Sequence, residues 1–270
     1  MYQQLNPRVY RIGGLVLKIK EKGNNTWQEY QGIQTLQAKP FFRVPRMTRM
    51  PFPGRTILVS RYVGEPLPEF LQVNPRSPYL DDALTRLGHW VAQEQRYVSA
   101  ETCRINPYQK SLKTIDTLKK YLACDDEVIP LLNRSYNFIS VQEQGKISAF
   151  QGHGDLHLGN ILVDKDGELY LIDPRVGVYP TFYPLVKMIY FWYLLYGCPD
   201  YPHETHLIRD KILNTADRLG CLKEVIFFLI PTMLRVLYPE RLLEEKFHAV
   251  AISKSCWIDE EIREIYHRHV

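Results

Sequence analysis

The chain has 270 residues, 45% hydrophobic and 24% charged, with a net charge of +4. That composition is ordinary for a soluble globular protein, and the length leaves room for one large domain or two moderate lobes. Five scattered cysteines (positions 103, 124, 198, 221 and 256) form no CxxC pair, which excludes a disulfide framework and a zinc ribbon and fits a reducing cytosol.

The start, "MYQQLNPR", has no apolar core behind a basic end and does not read as a signal peptide. Residues 1–65 hold eleven Lys or Arg against three Glu, so the remainder is slightly acidic. A basic N-terminal third suits a solvated face, a nucleic-acid patch or one wall of a phosphate site. "VYRIGGLVLKIK" reads as two strands around Gly13-Gly14, a hairpin. "NNTWQEYQGIQTLQA" reads as a helix, with Thr26 as N-cap and Glu29 completing a capping box. A Pro-rich stretch follows, with two short strands, the second from Thr56 to Val63. Beyond "GEPLPEF", residues 79–98, 108–123 and 126–141 carry apolar residues three and four apart, the helical spacing. Next comes "QGHGDLHLGNILVDKDGELYLIDPR", residues 151–175. From Thr181 onward the pattern is helical again, broken near 199–202, 220 and 239. The longest uncharged run, Met188 to Pro199, falls short of the roughly 20 apolar residues that span a bilayer. A small β-rich half therefore precedes a larger α-rich half, and "YVGEP" is the joint.

Residues 151–175 concentrate the chemistry. "NILV" and "LYLID" are short apolar strands joined by "DKDGE", whose Asp166-Gly167 pair suits a tight turn and leaves Asp164 and Asp166 as turn residues. Antiparallel pairing brings Asn160, before the first strand, beside Asp173, after the second. An amide oxygen and a carboxylate facing one spot suit Mg²⁺ completed by water and phosphate. Asp155 lies five residues earlier in a glycine-bearing loop, where a carboxylate can take a proton from an attacking hydroxyl. His153 reads as a packed, hydrogen-bonded residue of that loop. His157 is balanced between a place near substrate and that of a plain loop histidine. Upstream, alternation puts Lys18 and Lys20 on one strand face and does not choose between them.

"HGDLHLGNIL…LYLIDPR" resembles the catalytic core of the aminoglycoside phosphotransferase family, within the protein-kinase-like superfamily. Its pattern H-G-D-L-H-x-G-N, then a hairpin and I-D, is filled at every position. The ending "IDPR", in place of the commoner I-D-W-E, is similar to that of small-molecule kinases of the streptomycin kinase and sugar kinase type. The resemblance runs from residue 8 to about 190; the last 80 residues match only as a helical region. It implies an α+β, two-lobed, protein-kinase-like fold, with a small β-rich N-lobe over 1–63 and a larger, mostly helical C-lobe over 64–270. It implies phosphorylation of a small-molecule hydroxyl by ATP, or GTP, with Mg²⁺. Asp155 would be the catalytic base, and Asn160 and Asp173 the metal ligands. The family pattern V-L-K-I selects Lys18 for the phosphates, with Glu29 as its partner. Arg61, Tyr62 and Val63 would line the adenine hinge, and Leu162 and Ile172 would close that pocket from the other lobe.

The pattern is broken twice. No glycine-rich loop precedes the second strand, so the first strand is expected to be short or missing. Pro184 stands where the family has an aspartate that braces the catalytic loop. The acceptor is read from charge. Residues 203–270 hold eleven acids against ten Lys or Arg, and Asp259, Glu260, Glu261 and Glu264 on the last helix are the candidates for an acidic wall. Without such a wall a polycation is not concentrated in the cleft, so a sugar, amino alcohol or similar metabolite is favoured over an aminoglycoside. Two alternatives stay open: a protein or regulatory kinase with the same core, although no A-P-E segment follows Asp173, and a nucleotide-binding module with little catalysis. A nucleic acid is the least favoured partner, and the expected location is the cytoplasm.

Overall fold

The computed structural model describes residues 2–6, 9–21, 26–52, 55–121, 128–196, 202–237 and 255–269. The N-terminal part is an antiparallel sheet of β1 (Tyr2–Asn6), β2 (Val9–Ile12), β3 (Leu15–Glu21), β4 (Met47–Phe52) and β5 (Arg55–Arg61). Its order is β1-β2-β3-β5-β4. The β2–β3 turn is Gly13-Gly14, with Gly13 at φ 59, a conformation that costs glycine little because it has no Cβ. An edge strand expected to be short or missing is present, with Tyr2 opposite Ile12. "YQQLN" has no strict apolar alternation, so its pairing with β2 is a tertiary outcome that periodicity does not announce. Helix α1 (Thr26–Gln37) buries Ile33 and Leu36. At Gly32 a Cβ would come within 3.3 Å of Val176 and 3.4 Å of the Pro174 carbonyl, so α1 leans directly on the segment after Asp173.

Helices dominate the rest. They are α2 (Leu67–Val73), α3 (Pro78–Glu94), α4 (Pro107–Tyr121), α5 (Val128–Glu143), α6 (Tyr183–Phe191), α7 (Pro202–Arg218), α8 (Leu222–Leu237) and α9 (Ser255–His269), with a π turn over Trp192–Tyr196 extending α6. The three helices expected between 79 and 141 are α3, α4 and α5. The first stops four residues early, because Arg96–Ser99 forms a strand, β7. Tyr97 and Val98 favour an extended chain, and β7 pairs with β8 (Lys146–His153), which in turn pairs with β11 (Val176–Pro180). Neither β8 nor β11 is signalled by the local pattern.

The expected hairpin is β9 (Ile161–Val163) and β10 (Leu169–Leu171), with Leu169 opposite Val163 and Leu171 opposite Ile161. Asp164 Oδ1 accepts the amides of Asp166 at 2.9 Å and Glu168 at 2.8 Å, and Gly167 sits at φ 82. A two-residue strand, β6 (Glu65–Pro66), adds to β9 and ties the chain after β5 to this hairpin.

The main core lies beneath these small sheets. Helix α3 buries Leu80, Ala83, Leu84, Leu87, Trp90 and Val91, one face of a 3.6-residue period. Trp90 stacks on Phe41 at 5.7 Å and meets Phe150 of β8 edge-on at 5.7 Å. Its indole N–H donates to the Gln151 carbonyl at 3.1 Å. Among the described residues no helix is long and apolar enough to cross a membrane.

Candidate active site

The loop that carries Asp155 follows from the end of β8. Trp90 fixes that end, and the chain then turns through Gly154 and Asp155 into a short 3-10 turn over Leu158–Asn160 and on into β9. Gly154 has no room for a side chain, since a Cβ would fall 1.9 Å from the Tyr179 ring. Its N–H donates to the Arg175 carbonyl at 3.0 Å, and the Tyr179 hydroxyl donates to the same carbonyl at 2.7 Å. His153 is 1% exposed and bridges two segments. Its Nδ1 accepts the Asp155 amide at 3.1 Å, which leaves Nε2 to donate to the Ile172 carbonyl at 2.8 Å. Burial holds this imidazole below its ordinary pKa and therefore neutral, as the tautomer requires. These contacts tie the loop at Asp155 to the segment around Ile172 and Arg175. Pro184 itself is buried at the start of α6.

Asn160 is 8% exposed, and its amide N–H donates to the Asp155 carbonyl at 2.7 Å. That turns the donor end of the amide inward and leaves Oδ1 to act as an acceptor. The Asn160 carbonyl in turn accepts the Ile172 amide at 3.1 Å, so the two flanks of the hairpin are joined just before Asp173. Asp173 has φ 52, a left-handed backbone uncommon for a residue with a side chain. Its carboxylate receives Lys18 Nζ, the strand lysine of β3. One amide oxygen and one carboxylate, both lining the same cleft, are hard donors that fit a divalent cation.

Asp155 is ion-paired with Lys187 of α6, and Arg175 stands 3.8 Å from its other oxygen. Burial pushes the Asp155 carboxyl up, but Lys187 and then Arg175 outweigh it and hold the group below the usual carboxylate range. His157 stacks on Phe191 at 4.4 Å, and burial lowers its pKa to about 4 despite Asp155 nearby. Among the described residues no hydrogen-bond partner reaches His157 Nδ1.

Lys18, Arg61, Tyr62, Val63, Leu162 and Ile172 line one cleft of about 1090 Å³ together with Asp155, Asn160 and Asp173. The Glu29 side chain lies outside the described residues, as does that of Lys20. The Tyr62 amide donates to the Gly14 carbonyl at 2.9 Å, and the Arg11 guanidinium stacks 3.6 Å over the Tyr62 ring. That ring is thus committed to the sheet. Burial and a hydrogen bond to Glu65 push its hydroxyl up to about 12. At Gly64 an added Cβ would lie 2.0 Å from the Val163 carbonyl, so only glycine lets the connection pass this close to β9.

Sequence reasoning missed Lys187, Glu65 and Glu69, all of which line the cleft. A signal for Lys187 exists: it is the single charged residue between Arg175 and Asp200, inside an aromatic helix. Among the described residues, Glu260, Glu261 and Glu264 of the candidate acidic wall do not line the cleft. Glu261 is 3% exposed and bound to Arg209 at 2.7 Å, with His206 and the Tyr193 hydroxyl also on it. Glu264 is shared by Arg209 at 3.2 Å and Arg268 at 2.6 Å. Glu260 is exposed, and the Asp259 side chain lies outside the described residues. Glu261 and Glu264 neutralise buried Arg209, which keeps their charge inside the helical region.

No protein-family model and no curated protein sequence matches the chain. Solved structures do share the fold. Choline kinase LicA from Streptococcus pneumoniae superposes with a TM-score of 0.55 at 12% identity, over 97% of this chain and 92% of that one. A choline/ethanolamine kinase family protein from Mesorhizobium loti gives 0.55 at 14% identity, over 98% and 90%. Aminoglycoside phosphotransferase APH(3'')-Id from Streptomyces rimosus, in complex with ADP and streptomycin, gives 0.51 at 17% identity, over 86% and 92%. The chain therefore has the α+β, protein-kinase-like fold of the aminoglycoside phosphotransferases and choline kinases, β-rich in its N-terminal part and helical in its C-terminal part.

Proposed function

We propose that the chain is an ATP-dependent phosphotransferase acting on a hydroxyl of a small molecule. The observation that carries this is one cleft holding an ionised Asp155 beside the Lys18–Asp173 pair. The likeness to kinases of choline and of an aminoglycoside supports the reading. In this reading residues 1–63 form the nucleotide-binding lobe and residues 64–270 the lobe that carries Asp155 and the acceptor site. The nucleotide base enters between Val63 and the Leu162–Ile172 floor, and its phosphates run toward Lys18. Asn160 and Asp173 would hold Mg²⁺, which supplies neutralisation of phosphate charge.

The chemistry falls to Asp155. It accepts the proton of the acceptor hydroxyl as that oxygen attacks the γ-phosphorus. The bond from the γ-phosphorus to the bridging oxygen breaks, and ADP leaves with that oxygen. Lys187 and Arg175 keep Asp155 deprotonated and in place, so catalysis is mostly positioning and charge stabilisation. The acceptor is not a polycation, because the described lining of the cleft has no acidic wall beyond Asp155 on the side of α4, α6 and α8.

The test is Asp155→Asn. Nucleotide affinity should persist while phosphorylation of an acceptor falls about 10²- to 10⁴-fold, the usual contribution of a positioned base. Unchanged turnover would remove Asp155 from the role. Tight nucleotide binding by the wild type with no turnover on a broad acceptor panel would instead favour a nucleotide-binding module.

A further inference from the structure

Two lysines enter the cleft from different parts of the fold, and each rests on a carboxylate. Lys18 of β3 pairs with Asp173, and Lys187 of α6 pairs with Asp155. All four residues line the same cleft. The Lys187 pair lies where an acceptor hydroxyl must come, because a base works within about 2.6–3.2 Å of the group whose proton it takes. Lys187 Nζ donates to Asp155 Oδ1. An acceptor oxygen on Asp155, and the phosphorus it attacks about 3–3.5 Å farther on, therefore fall within the sweep of this one flexible side chain.

The ammonium is held in that place. Tyr183 and Phe191 stand one helical turn to either side of Lys187 on α6, with their ring centres 5.5 and 5.7 Å from Nζ. The Lys187 side chain is 19% exposed, against 65% for Arg175, which stands 3.8 Å from Asp155. Its field at the reacting atoms is thus less screened by water than that of Arg175. Charge then moves in its favour. When Asp155 takes the hydroxyl proton its carboxylate becomes neutral, and its hold on the ammonium weakens. The negative charge that Asp155 gives up reappears on the attacking oxygen and the phosphoryl group that joins it. A fixed cation beside both stabilises that state more than the one before it, which is the condition for lowering a barrier.

We propose that Lys187 is a catalytic residue that contacts the phosphoryl group as it passes to the acceptor, in addition to holding Asp155 in place. This rests on the phosphotransferase reading of the same cleft. The bond from the acceptor oxygen to the γ-phosphorus forms, the bond to the bridging oxygen breaks with its electron pair going to ADP, and the proton ends on Asp155. Lys187 keeps its own proton throughout and acts by charge alone.

The test titrates the whole protein with Mg²⁺ and ADP, with and without aluminium fluoride, a mimic of the phosphoryl group in transfer. In the wild type aluminium fluoride should tighten ADP binding about tenfold or more, as transition-state mimics do. K187M should keep its affinity for Mg²⁺ and ADP within about twofold and lose about tenfold of the fluoride gain, the scale of one well-placed charge. K187R, which keeps a cation, should recover part of that gain, and K187Q repeats the comparison with a second neutral side chain should K187M not fold. D155N separates contact from positioning: a Lys187 that meets the phosphoryl group still matters there, so D155N/K187M should show a smaller fluoride gain than D155N. Equal gains in the wild type and the neutral variants overturn the proposal. So does a Lys187 effect that disappears in the D155N background, which would leave Lys187 a positioning residue for Asp155. A wild type that binds no ADP overturns the phosphotransferase reading itself, whereas ADP binding with a fluoride gain independent of Lys187 overturns only this role.

Discussion

Asp155 is held between opposed influences, and the winner sets its working range. Burial raises its pKa, while Lys187 and Arg175 lower it further than burial raises it. Lys187→Met keeps the bulk and removes the charge, so the Asp155 pKa should rise. A carbon-13 carboxyl titration of both proteins checks this, and an unmoved Asp155 signal would take that role from Lys187. His157 shows the opposite case, a base kept neutral by burial with a pKa of about 4 against an unfolded value near 6.5. The unfolded chain takes up the proton as pH falls through about 6.5, and the folded chain does so only near 4. Stability from this residue is therefore full above about 6.5 and lost progressively toward 4, by roughly 3 kcal/mol. The Asp155 contribution has its own window: it is present above the unfolded carboxylate value near 3.9 and is lost as pH falls below it. His157→Phe keeps a ring against Phe191 and should flatten the upper window. Urea midpoints measured from pH 7 to pH 4 would show it, and an equal slope in both proteins would assign the loss elsewhere.

At the scale of elements, the parts readable in the sequence are those fixed by local chemistry. The β9–β10 hairpin is one, because Asp164 and Gly167 make its turn regardless of what packs on it. The α3 face is another, because its apolar spacing persists over 17 residues. Strands β7, β8 and β11 were illegible for the converse reason. They pair across long sequence separations, Arg96 with Ala149 and Val176 with His153, and none of the three keeps the strict in-and-out alternation that a half-buried strand would show. The candidate site divides the same way. Its candidate oxygen ligands announce themselves by spacing within residues 151–175, whereas Lys187 reaches Asp155 only through the packing of α6 beneath the loop. Trp90 is the element-scale anchor, since it joins α3 to β8 by ring contacts and a hydrogen bond. Trp90→Ala should cost about 3–5 kcal/mol, the range for deleting a buried aromatic side chain. Trp90→Phe should cost less, mainly the indole hydrogen bond. Denaturant unfolding of the two variants measures both, and a loss under about 1 kcal/mol for the alanine would deny the anchor.

Across the whole molecule, Lys18 and Asp173 join the N-terminal sheet to the segment after the hairpin, over a cleft that both line. Asp173→Ala should remove the metal dependence of nucleotide affinity, because the neutral amide of Asn160 alone is a weak partner for a strongly hydrated cation. ATP titrations with and without Mg²⁺ check this, and equal metal dependence in mutant and wild type would relocate the cation. Gly64 is pressed against the Val163 carbonyl, so Gly64→Ala should push the connection off β9 and lower stability, which denaturant unfolding measures. The His153 bridge has a consequence for the clock of the molecule. One imidazole holds the Asp155 amide and the Ile172 carbonyl at once, and the Ile172 amide is itself held by Asn160. Neither segment can open to solvent without releasing the other. Deuterium should therefore enter the amides of Gly154, Asp155 and Ile172 at one shared rate, as a single cooperative block. In His153→Ala that block should split, and Asp155 should exchange long before Ile172.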